Sequence, residues 1–335
     1  QFDNAPGVRW LGSSIAALSQ LQTALIVGSN LRKDHPLFAQ RIRQSARKGC
    51  AVNAINSVAF DWAMPIKNYV TAPAAQWPQA LADVAQAVAA EKGVPAPVPG
   101  QTSTTAKAIA QTLLSGERKA ILLGNAAAHH ANASSLLALA QWIGEHTGAS
   151  VGYLTEAANT VGAQLVGALP TAGGKNAAQM LSGGLRAALL LHTEPEFDSL
   201  GGHPVDGDMV VTLSPFKANM AFSDVLLPIA PFTETAGSFI NAEGRVQSFH
   251  GVVKPLGNAR PAWKVLRVLG TMLGLPGFEF DTVEEVRAAA LPSDIASKLS
   301  NLTQSPIRLD VSAAEPSVAS IYQLDGLVRR APSLQ

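Results

Sequence analysis

Two short loops contain the residues of this chain that are best placed to bind a charged ligand. Gly28-Ser29-Asn30 follows the apolar run Thr23–Val27, and Gly124-Asn125 also follows a strand-like run. Loops at the carboxyl ends of parallel strands bind ligands in α/β proteins, and free backbone N–H groups there favour an anion. Two such loops would suit a large phosphate-bearing cofactor. Glycine and asparagine also permit tight strand exits with positive φ, and the spacing alone favours this structural role.

A second group of polar residues surrounds a predicted hairpin at residues 238–249. Apolar alternation on both arms and a glycine in the turn are typical of such a hairpin. Glu234 precedes it, and Asn241, Glu243 and Arg245 flank its turn. These side chains could contact a ligand. An ion pair or hydrogen bonds that hold the turn in place are the favoured interpretation, because losing one partner of a buried pair costs roughly 3–5 kcal/mol.

Metal and thiol chemistry have little support in the sequence. His129 and His130 are adjacent, so their side chains point apart, and no carboxylate or thiol cluster accompanies them. Cys50 is the only cysteine. It excludes a disulfide within this sequence and an iron–sulfur cluster held by these residues alone. We expect Cys50 to be a small buried strand residue, and we predict neither a metal site nor a catalytic residue.

The elements around these residues alternate between strand and helix. Strands are predicted at 23–27, 50–55, 120–123, 187–191, 209–213 and 224–227, and helices at 36–48, 78–91, 104–114, 133–146, 261–273, 284–290 and 318–329. Near-continuous apolar strands separated by helices indicate parallel, doubly wound sheets covered on both faces. The fold class is therefore α/β, with two α/β units and a helical C-terminal part.

The Pro-rich segment 94–100 is the predicted domain boundary, because three prolines in seven residues form a stiff extended connector. We therefore expect a Rossmann-like domain at 1–93, a second α/β domain with the hairpin at 101–260, and a helical extension at 261–335.

Composition excludes several classes of protein. Of the 335 residues 47% are apolar and 15% are charged, which is typical of a globular protein. The net charge is +1, from 25 basic and 24 acidic residues, and no basic blocks occur, so a nucleic-acid partner is not expected. No apolar run approaches the roughly 18 residues that a membrane span requires, so direct membrane insertion is not expected either.

Three motifs resemble one family of enzymes. DVLLP at residues 224–228, with a glutamate six residues after its proline, and G-x-F-x-N-x-E-G-R-x-Q at 237–247 resemble the pterin-fold region of the molybdopterin oxidoreductase family. G-S-N-L-R-K-D-H-P at 28–36 resembles that family's G-x-N-x-x-x-x-H-P. The stretch 31–49 and the ending at 321–335 are more similar to one branch, the large G subunit of bacterial NADH-quinone oxidoreductase, respiratory complex I.

The resemblance implies a molybdopterin-enzyme fold that has lost its cofactor. A molybdenum ligand of that family would fall near or before Gln1, where Asp3, Ser13 and Ser14 are weak substitutes for cysteine. The family's closing β-barrel domain does not follow residue 261. The loop residues Gly28, Asn30, Gly124 and Asn125, and the hairpin residues Glu234, Asn241 and Arg245, would then be vestigial cofactor contacts.

The resemblance also implies partners and a location. Iron–sulfur clusters are expected in an N-terminal part of the parent subunit that this sequence does not include. The partners would be that cluster-bearing part and other peripheral-arm subunits, on the cytoplasmic side of the inner membrane. The alternative is a fragment of an active molybdopterin-dependent oxidoreductase.

Overall fold

The computed structural model describes residues 7–170, 173–199, 205–309 and 315–334. The chain divides into two compact units, each made of three segments. Unit 1 contains residues 1–162, 240–245 and 294–321, and unit 2 contains residues 163–239, 246–293 and 322–335. The predicted domain limits at 93, 101 and 260 do not coincide with this division.

Unit 1 is built around a five-stranded parallel sheet with the strand order β3-β2-β1-β4-β5. The strands are β1 (Thr23–Val27), β2 (Ala51–Asn56), β3 (Asn68–Thr71), β4 (Lys119–Leu123) and β5 (Ser150–Tyr153). Every residue of β1 and β4 is buried, as the continuous apolar runs in the sequence predict. The strand order reverses between β1 and β4, so this is the switch point at which ligands bind in open α/β sheets.

Helices cover both faces of this sheet. They are α1 (Leu31–Asp34), α2 (Pro36–Ala46), α3 (Trp77–Lys92), α4 (Thr104–Leu114), α5 (Asn125–Ala128) and α6 (Ala133–Thr147). Leu25 and Val27 of β1 pack with α3, α4 and α6, whereas Ala24 and Ile26 pack with α2 on the other face. Cys50 is buried just before β2, as expected. The predicted doubly wound α/β arrangement is confirmed for this unit.

The Pro-rich segment 94–100 is not a domain boundary in the structure. β1 pairs with β4 in register from Thr23 with Lys119 to Val27 with Leu123, so one sheet includes strands from both sides of the segment. The segment packs back along α3: Gly100 lies so close to Ala82 that a Cβ there would overlap it. The prolines therefore shape a packed return of the chain and not a linker.

A clasp joins residues 7–10 of unit 1 to residues 298–302 of the same unit. Val8 forms a parallel bridge with Leu299, and its N–H donates to the Lys298 carbonyl at 2.8 Å. The Arg9 guanidinium donates to the Leu302 carbonyl at 2.7 Å, and Trp10 N–H donates to the Asn301 side chain at 3.1 Å. Residues that are about 290 positions apart thus meet in regular backbone pairing.

Unit 2 contains a three-stranded parallel sheet in the order β6-β7-β8 and a two-stranded hairpin. Its strands are β6 (Leu185–Leu191), β7 (Gly207–Ser214), β8 (Val225–Pro228), β9 (Gly237–Ile240) and β10 (Val246–Phe249). The hairpin prediction is confirmed. This sheet is less completely covered than that of unit 1, since Leu189 is 47% and Leu191 40% exposed.

The remaining helices are short and one predicted helix is missing. They are α7 (Thr160–Leu165), α8 (Ala177–Leu181), α9 (Pro195–Asp198), α10 (Ala262–Met272) and α11 (Val283–Ala290). The predicted helix at 318–329 is wrong: the 3-10 turn Val328–Arg330 begins only at its end, and a second turn, Pro332–Leu334, follows it. Gly326 disfavours a helix, and the Asp325 side chain accepts the N–H groups of Leu327 and Val328. None of the helices in the described residues is long and apolar enough to cross a membrane.

Candidate functional site

The two candidate loops lie side by side at the carboxyl edge of the unit 1 sheet. The Gly28 loop (residues 28–30) follows β1, and the Gly124 loop (residues 124 and 125) follows the adjacent strand β4. Gly28 has a φ of +65°, a left-handed conformation that glycine adopts without strain. The sequence prediction that both loops belong to the ligand-binding edge of a parallel sheet is therefore consistent with the observed topology.

The loops are in direct contact with each other. The Gly124 N–H donates to the Val27 carbonyl at 2.8 Å, and the Ala126 N–H donates to the Gly28 carbonyl at 3.0 Å. A Cβ at Gly124 would overlap Ser29, and one at Gly28 would overlap the backbone of Ala127. Both glycines are therefore required by the packing of one loop on the other, which is the structural role that the spacing favoured.

The backbone donors of the Gly28 loop are bonded to side chains of the protein. The Ser29 N–H donates to Asn56 Oδ1 at 2.8 Å, and the Asn30 N–H donates to Asp34 Oδ2 at 2.8 Å. The Ser29 hydroxyl is 3.4 Å from the same Asp34 oxygen. Burial raises the pKa of Asp34, and these two hydrogen bonds oppose part of the rise. A carboxylate of the chain thus occupies the position at which these N–H groups could hold a bound anion.

Two buried polar groups next to the loops interact mainly with each other. His35 is 6% exposed and Asn125 is 1% exposed, and neither His35 Nε2 nor the Asn125 amide makes a well-formed hydrogen bond among the described residues, although the two side chains are close enough to interact. Burial lowers the pKa of His35 to about 4, although the nearby Asn125 amide and the Glu156 carboxylate raise it in part. His35 is therefore a neutral imidazole at physiological pH. Neither Asp34 nor His35 was predicted as a site residue, although both belong to the motif at 28–36.

An ion pair lies beside these groups. His129 Nε2 is 2.9 Å from Glu156 Oε2. This contact lowers the pKa of the Glu156 carboxyl and raises that of His129. The ring of His130 points elsewhere, with Nε2 at 2.9 Å from the Ala74 carbonyl and its plane stacked on Trp77. The two adjacent histidines do not converge, as their positions in the sequence predict.

The hairpin residues hold their own turn together. Asn241 Oδ1 accepts the N–H groups of Glu243 and Arg245 at 3.1 and 2.9 Å. Glu243 Oε2 accepts the Ile15 N–H at 2.6 Å, and Glu243 Oε1 is 3.2 Å from Arg245 Nε. Glu234 belongs to unit 2, where its carboxylate accepts the Leu256 N–H at 3.1 Å. The structure therefore assigns Glu234, Asn241 and Arg245 to hydrogen bonds and an ion pair within the protein.

The proposed substitutes for a molybdenum ligand are poorly suited to that role. Ser14 is the N-cap of the 3-10 helix Ile15–Gln20, and its hydroxyl accepts the Ala17 N–H at 3.2 Å. The Ser13 hydroxyl contacts the Ser14 carbonyl at 3.4 Å. Asp3 lies outside the described residues. In the described part of the chain, no three histidine, cysteine or carboxylate side chains are grouped so that they could hold a metal ion.

Comparison with known proteins identifies the family to which these motifs point. The family profile named Molybdopterin oxidoreductase matches residues 5–272. A Staphylococcus aureus protein named as a formate dehydrogenase is 34% identical over 82 residues, which are 24% of this chain and 7% of that protein. The mitochondrial 78 kDa subunit of NADH-ubiquinone oxidoreductase from Candida albicans is 39% identical over 67 residues, or 20% of this chain and 9% of that subunit.

The fold is also similar to that of a solved enzyme. Acetylene hydratase from Pelobacter acetylenicus matches with a TM-score of 0.55 and 14% identity, over 79% of this chain and 50% of the enzyme. This similarity concerns the fold alone. The matched segments span less than a tenth of the length of each of the two curated relatives, and the structural match spans half of the hydratase.

Proposed function

This chain belongs to the molybdopterin oxidoreductase family, and we propose that it serves as a non-catalytic scaffold segment of an NADH-quinone oxidoreductase. In this proposal the family's α/β architecture is kept while binding of the cofactor is lost. The segment would pack against the cluster-bearing part of the same subunit and against other peripheral-arm subunits, on the cytoplasmic side of the inner membrane.

The carboxylate of Asp34 is the observation that carries the proposal. A pterin dinucleotide contains a pyrophosphate, and a strand-exit loop binds such a group through free N–H donors. In the Gly28 loop the Ser29 and Asn30 N–H groups are bonded to Asn56 and Asp34, and the ionised form of Asp34 would repel an additional anion. The Gly28 and Gly124 loops are also packed directly on each other, so that a Cβ at either glycine would overlap the other loop. The Ser29 and Asn30 N–H groups are therefore already occupied, which supports a loss of phosphate binding at the Gly28 loop.

Similarity to the complex I subunit supports the respiratory part of the proposal. The match to the Candida albicans 78 kDa subunit reaches 39% identity, although it covers a fifth of this chain. The expected task of such a segment is to hold neighbouring parts at constant distances. The fully buried strands β1 and β4, with helices on both faces, are a close-packed core that resists deformation.

A working molybdopterin-dependent oxidoreductase is the second candidate. The Asn125 amide and Nε2 of His35 favour it, because these buried groups make no well-formed hydrogen bond among the described residues and a ligand could provide one. The similarity to the Staphylococcus aureus protein points the same way. If the cofactor were bound, it would supply the redox chemistry, and Asn125 and neutral His35 would contact its polar edge.

Metal analysis of the purified chain distinguishes these candidates. The chain is produced in a host that synthesises the molybdenum cofactor, and molybdenum and tungsten are measured by mass spectrometry. The scaffold proposal predicts far less than one metal per chain. A stoichiometric metal content that the substitution Asn125→Ala abolishes would refute it and establish the second candidate.

A further inference from the structure

The carboxyl edge of the unit 2 sheet is covered by a distant part of the chain. His192 follows β6, Ser214 ends β7, and Phe232 lies shortly after β8. Residues 322–334, which we call the strap, lie over this edge, and a cavity of about 240 Å³ remains between the two. Open α/β sheets bind ligands at this edge. In this unit the strap takes the place of such a ligand.

Two arginines of the strap are held by the buried carboxylate of Glu194 and the more exposed carboxylate of Asp198. Arg330 Nη2 is 2.8 Å from Glu194 Oε1, and Arg329 Nη2 is 2.6 Å from Asp198 Oδ1. Arg329 Nη1 is also 3.6 Å from Glu194 Oε2. The side chains of Arg329 and Glu194 are each only 6% exposed. Glu194 therefore contacts both guanidinium groups; little water can screen the charges at Arg329, whereas the Arg330 side chain is 33% exposed.

Aromatic rings complete the contacts. The guanidinium carbon of Arg330 lies 3.9 Å from the centroid of the Phe216 ring, and that of Arg329 lies 5.3 Å from the Phe197 ring. A planar cation between a carboxylate and an aromatic face is the arrangement by which proteins recognise arginine. A lysine ammonium could not reproduce both the planar stacking and the forked hydrogen bonding.

The strap has little structure of its own to hold it in place. It contains 3-10 turns of three residues, Val328–Arg330 and Pro332–Leu334, and turns of this length are not stable in isolation. We therefore expect the hydrogen bonds from Arg329 N–H to the Asp325 carbonyl and from Arg330 N–H to the Leu327 carbonyl to weaken when the strap is released.

We propose that the carboxyl edge of the unit 2 sheet is a guanidinium-binding site and that the strap is its ligand, bound through Arg329 and Arg330. Glu194 is the central anchor, with Asp198, Phe197 and Phe216 around it. While the strap is docked, the edge is closed to other ligands. This inference concerns unit 2 alone and does not depend on the proposed respiratory role.

Amide hydrogen exchange on the full chain tests the proposal. Glu194→Gln is compared with Glu196→Gln, which removes an exposed carboxylate from the short helix α9 that Glu194 precedes as N-cap. Exchange is measured separately for the strap and for β7. We expect Glu194→Gln to accelerate exchange in the strap about 100-fold, because removing one partner of a buried ion pair is strongly destabilising. Glu196→Gln should change neither segment.

A second variant excludes damage to the sheet itself. Arg330→Ala leaves every residue of the β6-β7-β8 sheet unchanged, and it should release the strap while β7 stays protected. Unchanged strap exchange in both Glu194→Gln and Arg330→Ala would overturn the proposal. Equal acceleration of strap and β7 in Arg330→Ala would overturn it too, because the strap would then be part of the folding core and not a bound ligand.

Discussion

Substitution of Asp34 tests whether the protein satisfies its own anion-binding loop. Asp34→Ala leaves the Asn30 N–H and the Ser29 hydroxyl without their acceptor, whereas Asp34→Asn keeps an oxygen at that position and removes the charge. Since burial raises the pKa of Asp34, ionisation of the carboxyl costs the folded state free energy. The stability that depends on this group therefore decreases as the pH rises through that pKa.

The expected change in the free energy of unfolding differs between the two variants. A hydrogen bond to a charged group contributes about 1.5–3 kcal/mol, and release of the buried charge offsets part of its loss. We therefore expect Asp34→Ala to reduce the free energy of unfolding by about 1–2 kcal/mol at pH 7. Asp34→Asn should be at least as stable as the unmodified chain.

Urea denaturation followed by tryptophan fluorescence measures this effect in the relevant unit. Four of the five tryptophans, Trp10, Trp62, Trp77 and Trp142, belong to unit 1. Added pyrophosphate provides a second test, because only a chain with free donors should be stabilised by it. In Asp34→Ala the anion should raise the midpoint of unfolding, and in the unmodified chain it should not.

Two results would refute the reasoning. If Asp34→Asn loses as much stability as Asp34→Ala, the carboxylate charge and not its acceptor oxygen matters. If pyrophosphate stabilises the unmodified chain as strongly as the alanine variant, the loop donors are available to ligands, and the main support for a lost cofactor is removed.

Three further predictions concern the same unit. Gly124→Ala should destabilise unit 1 by about 1–3 kcal/mol in urea denaturation, because the new methyl group overlaps Ser29. An unchanged midpoint of urea denaturation would show that the two loops can separate. Protonation of His35 opposes folding because burial lowers its pKa to about 4, so stability should fall between about pH 6.5 and 4. His35→Gln should reduce this loss of stability by on the order of 3 kcal/mol. If the variant and the unmodified chain lose stability equally as the pH falls, His35 is not the group responsible. Glu243→Gln should weaken the bond to the Ile15 N–H and lower stability by about 1 kcal/mol, which amide exchange at Ile15 would report.

The sequence was sufficient to predict the elements whose apolar pattern decides their structure. The runs at 23–27 and 120–123 become fully buried strands, and the helix at 104–114 has the predicted limits. Strands β3 and β5 were missed, because Asn68–Thr71 and Ser150–Tyr153 are four residues long and mix polar with apolar side chains. Such short strands are specified by the neighbouring strand and not by local pattern.

The candidate site, too, could be predicted from the sequence only in part. The positions of the Gly28 and Gly124 loops followed from their location after strands, and the bonds of Asn241 and Arg245 within the turn were the favoured interpretation. The role of Asp34 could not be predicted, because its carboxylate reaches the Asn30 N–H through a turn formed only in the folded chain. The domain boundary was wrong because proline content reports backbone stiffness and not whether a segment packs on a helix.

The clasp between residues 7–10 and 298–302 has a consequence for biosynthesis. The five-stranded sheet ends at Tyr153, so it can assemble while later residues are still being translated. Val8 cannot reach its bridge partner until Leu299 has left the ribosome. During translation, residues 7–10 therefore lack their pairing partners although the five-stranded sheet can already be folded. Chaperone binding or premature cleavage should concentrate at these residues.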